Sequence, residues 1–130
     1  MAIQESIINC LEREDTVKLG ILYGSMADLR ASLESYIDLA AAADRPLSTE
    51  QTITLIECLA DQGGRPVDLV DLQTTNGTLL KQILTTGTVV YCSDTTLYAN
   101  IIKRMLFNDA DMMPYYYRSL KEQREQWISE

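Results

Sequence analysis

Residues 17–25, VKLGILYGS, then residues 36–43, YIDLAAAA, and residues 66–72, PVDLVDL, decide how this chain folds. Val17 to Tyr23 is a short apolar run that halts at Gly24-Ser25, the pattern of a buried strand running into a turn. A helical turn is expected to follow. Tyr36 to Ala42 reads as a second strand, and Arg45-Pro46 breaks it. Pro66 to Leu72 alternates as a third strand.

Helical periodicity flanks these strands. Ile3, Ile7, Ile8 and Leu11 recur at helical spacing, so residues 2–13 read as a first helix. Ser48 with Thr49 offers an N-cap, and Ile53, Leu55, Ile56 and Leu59 carry an amphipathic helix to Gly63-Gly64. Asn76-Gly77 opens a further helix through Leu79, Leu80, Ile83 and Leu84, which Gly87 ends. Thr88 to Tyr91 reads as a fourth strand. A long helical region starts near Thr95, with Pro114 as a break or fresh start. Helix and strand alternate throughout, which predicts an α/β (α+β) layer fold with a small sheet covered by helices. A single domain over residues 1–130 is expected, its C-terminal helical region spanning 95–130.

The chemistry is narrowed by what is missing. The chain carries 11 basic and 19 acidic residues, a net charge of −8, and no histidine. Imidazole bases, Ser-His and Cys-His nucleophile pairs and imidazole metal ligands are excluded. An acidic chain is poorly suited to direct nucleic-acid binding, which needs a basic surface to meet phosphate. Residues 103–130 hold five basic and five acidic side chains, so the whole negative balance lies before them. Cys10, Cys58 and Cys92 have no close spacing and are expected to be three unpaired, small apolar residues. The N-terminal stretch lacks the basic start and apolar core of a secretion signal, and no long apolar segment suggests a membrane span. A cytoplasmic location is expected.

Gly24 would let a ligand approach the backbone closely, and Ser25 could offer a hydroxyl and an amide at a helix start, where anions settle. Asp38 and Asp68 sit between apolar neighbours on short strands, a costly place for a carboxylate unless it is paired or holds a metal. Two such strands could bring them together. Oxygen-only ligands favour Mg²⁺ or Mn²⁺. Asp71 falls out of phase with Asp68 and reads as structural or exposed.

At these residues the chain resembles the minimal nucleotidyltransferase (MNT) domain, a polymerase β-like fold. The family pattern is Gly-Ser, ten residues, Asp-x-Asp, and a third acidic residue on a later strand. Gly24-Ser25, Asp38 and Asp68 follow it in order along the chain. The nearest pattern is that of MntA-type antitoxins, whose partner is a HEPN ribonuclease toxin. The resemblance implies ATP as substrate, Mg²⁺ as cofactor, and transfer of AMP to a tyrosine of the toxin. It further implies Gly24 and Ser25 as phosphate-binding residues and Asp38 and Asp68 as catalytic metal ligands. One position departs from the pattern. After Ser25 and ten intervening residues, where the first Asp belongs, stands Tyr36. A neutral phenol is a poor Mg²⁺ ligand at neutral pH, so a weakened metal site and a partly filled nucleotide pocket are expected. In another reading, Tyr36 simply packs as a strand aromatic and the protein is an antitoxin that masks its toxin by binding alone. In the turn itself, Met26-Ala27-Asp28-Leu29-Arg30 sets Asp28 against incoming phosphates unless it turns to solvent, with Arg30 either a compensating cation or a solvated surface residue. Tyr115-Tyr116-Tyr117, the methionines Met105, Met112 and Met113, and Trp127 divide between core filling and partner contact.

Overall fold

The structure is a computed structural model, and it describes residues 2–24 and 36–108. The elements run α1 (Ala2–Arg13), β1 (Val17–Tyr23), β2 (Ile37–Ala43), α2 (Thr49–Gly63), β3 (Val67–Asp71), α3 (Gly77–Thr86), β4 (Thr88–Cys92) and α4 (Thr95–Asn108). The four strands form one sheet in the order β3-β2-β1-β4. β1 pairs antiparallel with both β2 and β4, and β2 pairs parallel with β3. The α2 crossover makes that parallel pair possible, because a hairpin cannot join parallel strands.

Both faces of the central strands are covered, which is why β1 and β2 read as near-continuous apolar runs. Alternation still sorts their side chains. Ile37, Leu39 and Ala41 face one layer with Ile7, Cys10 and Leu11 of α1 and Leu55 and Leu59 of α2. Ala40 and Ala42 face the other layer with Leu80 and Ile83 of α3 and Leu97, Ile101 and Met105 of α4. Asp38 shares the parity of Ala40, so the strand's period of two puts its carboxylate on the α3/α4 side.

Local chemistry fixes the ends of the elements. Ser48 accepts from the Gln51 amide at 3.1 Å while the Gln51 side chain accepts from the Ser48 amide at 2.9 Å, a reciprocal cap at the start of α2. Gly64 ends that helix at φ 65°, returning its amide to the Ala60 carbonyl. Asp71 accepts from the Leu47 amide at 2.8 Å and the Gln73 amide at 2.9 Å, so it pins the loop before α2 to the end of β3. Arg104 of α4 clamps the turn after β3 through the carbonyls of Leu72, Gln73 and Thr75.

Two expectations are corrected. Cys10 and Cys58 are not independent: they form a disulfide between α1 and α2, with Cα atoms 5.9 Å apart across 48 residues of sequence. Cys92 alone is free. The cause is a packing contact of the helix layer that sequence spacing does not reveal. Further, Tyr36 does not begin β2. The ladder opens at Ile37, whose amide donates to the Pro66 carbonyl at 2.8 Å, and Tyr36 lies outside it with 59% of its surface exposed. No described helix is long and apolar enough to cross a membrane. The expected turn after Ser25, the break at Pro114, the tyrosine triplet, Met112, Met113 and Trp127 lie outside the described residues.

Candidate active site at the meeting of three strand ends

The antiparallel pairing of β1 with β2 and the parallel pairing of β2 with β3 bring three strand ends to one edge of the sheet. β1 arrives with its C-terminus, while β2 and β3 leave from their N-termini. Asp38 and Asp68 are each the second residue of their strand, and the ladder pairs them directly. Asp38 also pairs across β1 with Tyr23. A row of three oxygen-bearing side chains, Tyr23-Asp38-Asp68, thus crosses adjacent strands at this edge.

Their surroundings differ. Asp68 is exposed at the edge strand, and Asp38 on the inner strand is half-buried. Tyr23 is buried against the α3/α4 core. Burial, followed by the facing Asp68 carboxylate, raises the Asp38 carboxyl above its ordinary value. Burial also pushes the Tyr23 phenol up to about 12, and Asp68 and Asp38 add to the shift. The site therefore concentrates negative charge: burial and the facing carboxylates drive both shifts.

Gly24 follows directly at φ 70°, and a Cβ there would run into the Asp38 carboxylate. The glycine leaves open the space into which that carboxylate leans. Ser25, Met26, Asp28 and Arg30 lie outside the described residues.

The donor set suits a hard divalent cation in part. Asp38 and Asp68 would offer it carboxylate oxygens, and a cation between them would relieve their mutual repulsion. Among the described residues, no group of three or more His, Cys, Asp or Glu side chains is placed to hold a metal ion. Tyr36, two residues before Asp38, is the position at which the family resemblance expects a further carboxylate. Tyr23 is the member of this row to which the sequence assigned no role. Its one signal there was position: a hydroxylated aromatic directly before Gly24 and out of phase with Leu22.

The fold is a small mixed sheet covered by helices, with two carboxylates paired at strand starts beside Gly24. The polymerase beta nucleotidyltransferase family matches residues 5–96. The chain belongs to that family. No curated protein matches it. Solved structures do. A chain in the crystal structure of a toxin–antitoxin with AMP-PNP is 25% identical, with a TM-score of 0.67 over 97% of this chain and 95% of that one. A chain of the toxin–antitoxin MntA–HepT is 23% identical, with a TM-score of 0.62 over 98% and 94%. A chain from the tri-AMPylated Shewanella oneidensis HEPN toxin in complex with MNT antitoxin is 23% identical, with a TM-score of 0.63 over 98% and 93%. The latter two show a shared fold.

Proposed function

We propose that this protein is a cytoplasmic antitoxin that neutralises a HEPN ribonuclease toxin by transferring AMP from ATP to a toxin tyrosine. The observation that carries the reading is the pairing of Asp38 with Asp68 beside Gly24, in a fold shared with chains of toxin–antitoxin complexes. Asp38 and Asp68 would hold Mg²⁺, which supplies charge neutralisation on the triphosphate and activation of the attacking hydroxyl. Gly24, with Ser25 after it, seats the outer phosphates against bare backbone. Asp68, exposed at the sheet edge, is the carboxylate open to an incoming acceptor hydroxyl. Tyr36 supplies no charge, so cation affinity is low and transfer is slow.

The test combines this chain with a HEPN toxin, ATP and Mg²⁺, and reads AMP addition by intact mass. Tyr36→Asp is run in parallel and is expected to raise the transfer rate at least ten-fold. No transfer from either form would overturn the catalytic reading.

A second reading is favoured by Tyr36 itself: a large aromatic, more than half exposed, at the position of a missing carboxylate. There the protein silences the toxin by complex formation alone. Full inhibition at equimolar mixing without nucleotide, unchanged by Asp38→Asn, would support it.

A further inference from the structure

The Cys10–Cys58 bridge lies on the face of the sheet opposite Asp38, and its two sulfurs sit in unlike surroundings. Cys10 is 1% exposed, packed among Ile7, Leu11 and Leu59. Cys58 is half-buried. The Arg13 guanidinium lies 3.8 Å from the Cys58 sulfur, and the Gln62 amide donates to the same sulfur at 3.6 Å. A cavity of about 170 Å³, lined by Cys10, Arg13, Glu14, Thr54, Leu55 and Cys58, adjoins the pair.

We propose that Cys10 and Cys58 are a redox-active pair, in which Cys58 exchanges with a small disulfide of the glutathione class and Cys10 resolves the product. A neighbouring cation and a hydrogen-bond donor both favour thiolate over thiol, and the thiolate is the attacking species. Among the described residues, Cys58 has these partners as well as access. Its thiolate attacks one sulfur of glutathione disulfide, forming a mixed disulfide and releasing one glutathione thiolate. Cys10 then gives up its proton and attacks the Cys58 sulfur, expelling the second glutathione. The sum is two protein thiols and one glutathione disulfide converted to one protein disulfide and two glutathiones. The two electrons lost by the protein are gained by glutathione, and the reverse sequence opens the bridge. The 5.9 Å Cα separation allows the bond to close without backbone movement. Bridges that open and close in this way are the kind found in reducing compartments.

The reduced full-length chain is equilibrated with glutathione and glutathione disulfide at graded ratios, then alkylated and mapped by mass spectrometry. Cys10 and Cys58 should lose their alkylation together while Cys92 keeps its own. Cys10→Ala should trap one glutathione on Cys58, and Cys58→Ala should take up none at Cys10. Arg13→Gln should slow the first step several-fold at neutral pH, with the dependence on Arg13 fading at alkaline pH. Modification of Cys92 ahead of Cys58, glutathione on Cys10 in the Cys58→Ala chain, or no coupled loss of the two thiols in the unmutated chain would overturn the proposal. The unmutated chain tests it even where a variant fails to fold. AMP transfer is a separate readout, so failure here leaves the reading of Asp38 and Asp68 untouched.

Discussion

Asp38 bears the cost of a carboxylate half-buried on an inner strand opposite a second carboxylate. Burial and the Asp68 carboxylate both favour its protonated form. A carboxyl whose folded value is raised lends stability at low pH and loses it as pH rises through that folded value. In its charged form Asp38 therefore weighs against folding. Asp38→Asn is expected to raise the melting temperature of the ligand-free protein by a few degrees at pH 7. The gain should shrink as the pH falls and the native carboxyl takes up its proton. Thermal melts across pH, without divalent cations, check the sign. Tyr23 has the same sign in alkali: its share of stability is lost between the ordinary phenol value of 10.0 and about 12. Gly24 is constrained from both directions, by φ 70° and by the Asp38 oxygen that any Cβ would meet. Gly24→Ala is expected to cost about 2 kcal/mol, from the left-handed backbone together with displacement of Asp38. Urea unfolding measures it.

At the scale of the elements, the helices and strands were legible because local chemistry marks them. Ser48 announces the cap that starts α2, and Gly64 and Gly87 stand just past the ends of α2 and α3. The Asp38–Asp68 pairing was half legible: Ile37-Asp38-Leu39 and Val67-Asp68-Leu69 share the same local pattern, and the ladder sets them residue against residue. What remained hidden is long-range. Nothing in the spacing of Cys10 and Cys58 shows that α1 packs on α2, because the contact comes from the sheet holding both helices to one face. Tyr36 has the aromatic character of a strand residue, yet the ladder starts one residue later and leaves Tyr36 largely exposed. Strand propensity reports fit to a half-buried pleat, so it carries little weight beyond the last paired residue. The bridge itself closes a loop of 48 residues that contains β1 and β2. Chain entropy then gives an oxidised form about 4 kcal/mol more stable than the reduced one. Denaturant unfolding with and without reductant should show that gap as a shift in midpoint.

Across the whole molecule, the sheet separates two devices. Asp38 and Tyr23 stand on the α3/α4 side, and the sulfur pair stands on the α1/α2 side. The two core clusters have no residue in common. Perturbations on opposite faces with no shared partner add, usually within about 0.5 kcal/mol. The backbone of the sheet links these faces, because the alternating side chains of its strands, β2 among them, serve both layers. Consider Asp38→Asn, Cys58→Ala and the double variant, compared by urea unfolding at pH 7 under oxidising conditions. The first relieves charge at the strand edge and stabilises the fold. The second removes the bridge and destabilises it by several kcal/mol. If the strands act as a rigid partition, the double variant equals the sum of the two, and opening the bridge leaves the Mn²⁺ affinity of the site as it was. A deviation above about 1 kcal/mol, together with a bridge-dependent cation affinity, would mean that β2 shifts when α1 and α2 are released. The redox state of the helix layer would then reach the carboxylates through the strand that carries Asp38.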